Sequence, residues 1–222
     1  MLLLIQYTLI FASVLVLVAL GGCFSERSGV INIGLEGIMV MGALGGALMM
    51  KFLPKNCPAI LIVLLVILAS LLVGMVYSLL LAVAAINFKA DQTLAGTALN
   101  LLGTAAAVVI VRAINMAQDP NNVSSAISYI SAKKAFIVRI GRFEFNWFML
   151  VALAALIVSY IVLYRTKFGL RLRACGEHPQ AADSVGINVY KMRYAGVLIS
   201  GMLGGLGGIV YITAGVSWHW PL

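Results

Sequence analysis

The sequence predicts an all-α, polytopic transmembrane helical bundle of about six spans, with one small external β-hairpin. Three observations carry this. Apolar residues make up 63% of the 222 and charged residues only 10%, with a mean hydropathy of +1.07, whereas soluble domains run at about 25% charged residues. Several apolar runs reach the ~20 residues that cross a bilayer core as a helix, and a membrane barrel would show short alternating segments instead. The polar residues gather in a few breaks. The chief one is Arg165–Arg193, where Arg165, Lys167, Arg171, Arg173, Lys191 and Arg193 stand against Glu177 and Asp183.

Taken in order, span 1 covers Leu2–Leu20, and Gly21-Gly22 is expected to break it before a polar turn at Ser25–Ser28. Leu20-Gly21-Gly22-Cys23 resembles a lipoprotein cleavage site, but no Lys or Arg precedes the apolar run as a signal peptide requires. Span 2, Gly29–Met50, is glycine-rich, and Gly42-xxx-Gly46 offers a smooth groove for close helix approach. Pro58 suits the first turn of span 3, which runs to Ile86 and exceeds a minimal span. After the polar break Asn87–Gln92, span 4 covers Thr93–Val111 with Arg112 at its end.

The polar stretch 115–146 follows. Its end, Phe136–Phe145, alternates apolar and polar residues about Gly141 and reads as the hairpin. Span 5 is Trp147–Tyr164 and span 6 is Tyr194–Val216. Lys and Arg are retained on the cytoplasmic side, so 165–193 is expected inside, together with the breaks at Ser25 and Lys89. The 115–146 loop then lies outside, with Trp218 and Trp220 at the outer interface. Lys133, Lys134, Arg139 and Arg142 pull the other way, but they are fewer.

Polar residues at membrane depth cost about 2.5 kcal/mol or more when ionisable and mark paths or partners. Asn32 and Glu36 are four apart, which on a helix is one face. Gln92 and Asn100, eight apart, form a second set. These four are the candidate substrate-path residues; local pairing and helix packing are the plain alternatives. Asp91 reads as an N-cap for the helix that follows. The Gly29 segment faintly echoes a stretch from Gly196, and paired glycine-rich spans either flank a transporter site or simply pack.

Several classes fall away. The chain has no P-loop sequence and no H-E-x-x-H. Cys23, Cys57 and Cys175 show no metal or redox spacing. No catalytic set is recognisable, so neither an enzyme nor a cofactor is expected. The net charge of +8 arises largely in two loops and is no sign of nucleic acid; membrane lipid is the expected surrounding.

Three segments together carry a resemblance: Ser25–Gly37 (SERSGVINIGLEG), Ala90–Leu102 (ADQTLAGTALNLL) and Phe168–Ile187 (FGLRLRACGEHPQAADSVGI). In combination they resemble permease subunits of type II ABC importers, of the branched-chain amino acid/ribose-type permease family, in its nucleoside and simple-sugar branch. The resemblance spans the whole chain. It implies a single transmembrane permease domain in the bacterial plasma membrane, paired with a second homologous permease subunit. It also implies ABC ATPase subunits beneath and an extracytoplasmic substrate-binding protein above. Gly169, Arg171, Arg173, Glu177, Ala181, Ala182 and Gly186 match the segment that couples to the ATPase. Permeases of this kind continue for several helices after the sixth span, so a C-terminally incomplete domain is expected. The competing expectation is a secondary carrier or channel driven by an ion gradient, with Glu36 as the coupling group.

Overall fold

The computed structural model describes residues 2–54, 57–127, 137–140 and 143–213. Six helices in it are long and apolar enough to cross a membrane. They are α1 (Leu2–Arg27), α2 (Leu35–Phe52), α3 (Ala59–Ala82, prolonged by a π-helical turn at Val83–Asn87), α4 (Gln92–Gln118), α5 (Trp147–Arg165) and α8 (Val189–Thr213). Two short helices, α6 (Lys167–Glu177) and α7 (Pro179–Ser184), occupy most of the basic interval between α5 and α8. Strands β1 (Ile137–Ile140) and β2 (Phe143–Asn146) pair antiparallel, with Ile140 opposite Phe143 and Ile137 opposite Asn146. Trp218, Trp220, Lys133, Lys134 and Arg142 lie outside the described residues.

The centre of the bundle is α8, which packs against α1, α2 and α3. Glycine makes this possible. A Cβ added at Gly42 of α2 would overlap Gly205 of α8, and one added at Gly208 would overlap the carbonyl of Met39. A Cβ at Gly205 would lie 3.1 Å from the Cα of Gly74 in α3. In lipid, helices gain little from hydrophobic burial against each other, so backbone-close van der Waals contact of this kind supplies the association. The two glycine-rich stretches that echo each other in sequence therefore meet directly.

Four expectations need correction. Gly21-Gly22 does not break α1, which continues to Arg27. Gly21 instead faces α8, where a Cβ would stand 2.9 Å from the Ser200 carbonyl. Span 4 does not stop at Val111 but runs to Gln118, placing Asn115 inside its last turn rather than in a loop. Pro58 stands at the N-cap of α3 rather than within its first turn. Span 2 begins as a helix only at Leu35, because the chain from Ser28 to Gly34 is non-helical.

The two ends of the bundle are built differently. At the end opposite α6 and α7, buried Asn115 accepts from Lys51 Nζ at 3.1 Å and donates to the carbonyls of Ser124 and Ala126 at 2.9 Å each. One amide thus joins the ends of α2 and α4 and pins the start of the long loop. At the other end, Phe24, Leu163 and Leu172 form a small buried cluster that seats α6 on α1 and α5.

Candidate functional site

The interruption before α2 is held in place by side chains from three helices. Ser25 Oγ donates to the Val30 carbonyl and Ser28 Oγ to the Ser25 carbonyl, both at 2.6 Å, closing the turn after α1. Gly29 sits there at φ +85°, a conformation that favours glycine. Beyond it, the Ile31 amide donates to Gln92 Oε1 at 2.7 Å. Asn100 then grips two places at once. Its Nδ2 donates to the Ile33 carbonyl at 3.0 Å, and its Oδ1 accepts from the Gly37 amide at 2.8 Å. Gly37 lies in the first turn of α2, whose amides have no partner within the helix, so Asn100 replaces the missing turn. Gly96 and Gly103 of α4 flank Asn100 and let the two backbones close up; a Cβ on either would come within 2.9 Å of Gly34 or Gly37.

The four path candidates separate into two kinds. Gln92 and Asn100 bind the backbone of the interrupted segment. Asn32 is buried and donates to Ser200 Oγ at 2.9 Å, while its own Oδ1 is buried without a hydrogen-bond partner. Glu36 is exposed, in the first turn of α2, where its negative charge suits the positive end of the helix dipole. Because α2 starts at Leu35, the shared-face reading of Asn32 and Glu36 does not hold: Asn32 precedes the helix. Asp91 is the N-cap that the sequence suggests, accepting from the Thr93 and Leu94 amides at 2.8 and 3.0 Å. Ser200 was not legible as a site residue, since a lone serine in an apolar helix gives no periodic signal.

Asn100→Leu should destabilise the protein by about 2 kcal/mol or more, because it leaves a carbonyl and a helix-start amide without their partner. A thermal midpoint in detergent equal to that of the unaltered protein would show that the two bonds do not hold the segment.

The coupling candidates form a compact module. Thr166 Oγ1 accepts from the Gly169 amide at 3.2 Å and so caps α6. Gly169 is buried against the end of α5, where a Cβ would overlap the carbonyls of Val162 and Leu163; its place is at the seat of the module, not on its face. Arg173 is half-buried, with its guanidinium 5.0 Å from the centre of the Tyr164 ring. Pro179 opens α7, and Ala182 faces inward. Gly186 ends α7 at φ +81°, where the Ile187 amide reaches the Ala182 carbonyl at 3.1 Å, a helix stop that requires a left-handed residue.

Arg171, Glu177 and Ala181 are exposed. So are two apolar side chains on this polar module, Leu170 at 62% and Val185 at 73%. A recess of about 340 Å³ lies beside Val185, lined by Arg171, Val185, Gly186 and Lys191 among others. The module also touches the interrupted segment: a Cβ on Gly29 would lie 3.1 Å from the Cα of Gly176 and 3.4 Å from the Arg193 guanidinium.

A family model described as the branched-chain amino acid transport system / permease component matches residues 4–220. The chain belongs to this family. The family is one of transport permeases, which is not an enzyme class, and this permease-family chain is a multi-pass protein of the plasma membrane. It is 44% identical over 210 residues to the guanosine ABC transporter permease protein NupQ of Bacillus subtilis, covering 93% of this chain and 66% of the relative. It is 40% identical over 210 residues to the nucleoside ABC transporter permease protein NupC of Lactococcus lactis, again 93% and 66%. A putative glucose ABC transporter permease protein, TsgC13 of Haloferax volcanii, is 30% identical over 219 residues, covering 98% of this chain and 64% of the relative. The permease chain therefore spans about two thirds of the length of these relatives. No solved structure matches it.

Proposed function

We propose that this chain is a membrane-spanning permease subunit of an ABC importer that moves nucleosides, or simple sugars, inward. Separate ATPase subunits dock on the 165–193 module from the cytoplasm, a second homologous permease completes the path, and an extracytoplasmic binding protein delivers the solute. The observation that carries the reading is family membership over residues 4–220, joined to two relatives whose names specify guanosine and nucleoside. The α6–α7 module supports it physically. It stands outside the spans and leaves Leu170 and Val185 exposed, Val185 beside a recess.

The proposed mechanism runs through the contact between the module and the interrupted segment. Movement of α6 by a docked ATPase reaches Gly29 through Gly176, because neither glycine leaves a gap between the two backbones. From Gly29 the displacement passes to 30–34, which carries Asn32. Interrupted helices of this kind present backbone and side-chain polar groups to a solute at the cost of a held, non-helical stretch. Asn32, with its unpartnered Oδ1, and Glu36, exposed at the start of α2, are the proposed path residues. Gln92 and Asn100 are proposed to keep the segment open.

The test is uptake of labelled guanosine by cells that lack this gene but retain the other subunits, with and without the gene restored. Restored, ATP-dependent uptake is expected. Uptake that survives ATP depletion but collapses with an ionophore would favour the gradient-driven carrier instead. In the same assay Glu36→Gln should lower uptake about tenfold, the effect of losing roughly 1.4 kcal/mol of interaction with the moving solute. Undiminished uptake would return Glu36 to local packing.

A further inference from the structure

We infer that the cavity between the Lys89 turn and the start of α8 binds the phosphate of an anionic phospholipid at the membrane edge. The inference does not depend on the transport reading. The cavity measures about 320 Å³, and Lys89, Gln92, Tyr190 and Arg193 supply its polar lining. That volume lies within the range of small-ligand sites. The two cations, one in the turn after α3 and one in α8, are about a hundred residues apart in sequence, and no carboxylate lines the space with them. Asp91, the one acid beside Lys89, is absent from the lining and accepts from the Thr93 and Leu94 amides.

Two features show that the cavity is held in shape. The π-helical turn at the end of α3 is followed by a tight return in which the Ala90 amide donates to the Ala84 carbonyl at 3.0 Å, leaving Lys89 at φ 52°. Tyr194 Oη then donates to Asn87 Oδ1 at 2.9 Å and ties that turn to α8. Lys89 and Arg193 are thus held on connected elements rather than on free loops. Arg193 lines the cavity together with Lys89, and the planar fork of a guanidinium suits phosphate oxygens.

The surroundings favour a lipid phosphate over a free one. The cavity lies where α3 ends and α4 and α8 begin, at the level of span termini. Phe88, next to Lys89, and Leu94, two residues past Gln92, expose 78% and 71% of their surface, and Tyr190 of the lining exposes 60%. A headgroup seated between Lys89 and Arg193 would lay its acyl chains along such surface. Basic pockets between transmembrane helices at this level recognise anionic headgroups for the same reason.

Native mass spectrometry of the full chain in detergent, titrated separately with phosphatidylglycerol, phosphatidylcholine and inorganic phosphate, tests this. Phosphatidylglycerol should be retained at least about fivefold over phosphatidylcholine, and Lys89→Gln and Arg193→Gln should each lower that retention about fivefold. Lys89 is exposed, so its variant keeps the measurement decisive if Arg193→Gln fails to fold. Equal retention of the two lipids, or Lys89→Gln retaining phosphatidylglycerol like the unaltered chain, overturns the proposal. Inorganic phosphate that displaces the lipid and protects the chain from heat as well as it does overturns the assignment to a lipid.

Discussion

Gly205→Val yields no stably folded protein. Gly205 lies where α8 crosses α2 and α3 together, and a Cβ there would stand 2.5 Å from the Ser70 carbonyl and 3.1 Å from the Gly74 Cα. Both obstacles are backbone, which cannot rotate away as a side chain can. The variant also disturbs the bond in which Ser70 Oγ donates to the Gly205 carbonyl at 2.6 Å. Overpacking against side chains costs about 1–3 kcal/mol; against the backbone of α3 the cost is larger, and membrane helices have little else to bind them. The check is monodisperse yield in mild detergent, with Gly22→Ala as the control. At Gly22 an added Cβ meets only the Leu35 side chain at 3.5 Å, an ordinary contact. Wild-type yield for Gly205→Val would remove the claim that α8 is the packing centre.

Val185→Asp should abolish coupled uptake while leaving insertion intact. Val185 is 73% exposed, at the end of α7, outside every span and remote from the crossing glycines. Nothing in the isolated chain needs it to be apolar. If an ATPase covers it, the new carboxylate must be buried without a partner, which costs several kcal/mol. Co-purification with the ATPase should then fall about a hundredfold or more. Glu177→Lys, on the exposed end of α6, reverses a charge on the same module and should act in the same direction. Ordinary uptake and co-purification in both variants would dismiss the module as the docking surface.

Much of this architecture was legible in the residues. Span number followed from apolar length, because a helix must satisfy its own backbone in lipid. The Asp91 cap followed from residue type and position. Gly42-xxx-Gly46 pointed to close packing, and Gly42 does meet Gly205. The misreadings share a cause. Glycine in a membrane helix either interrupts it or admits a neighbour, and only the neighbour decides. Gly21 faces the Ser200 carbonyl, so α1 continues; Gly29 takes a positive φ, so the chain turns.

The extent of α4 was hidden because Arg112 suggested a span end, while a helix is free to continue past the lipid. The site was legible as a list but not as an arrangement. Asn32, Gln92 and Asn100 are visible as polar residues among apolar ones. Their division between buried side chain and backbone clamp depends on Ser200, Ile31, Ile33 and Gly37, none of which carries a distinguishing signal in sequence.

The central claim is that the α6–α7 module faces the cytoplasm and is moved by a partner there. A single cysteine at Gln180, exposed on α7, tests it in a background with Cys23, Cys57 and Cys175 replaced. Intact cells treated with a membrane-impermeant maleimide should leave Gln180→Cys unlabelled, and inverted vesicles should label it fully. Labelling in intact cells would place the module outside and contradict the account.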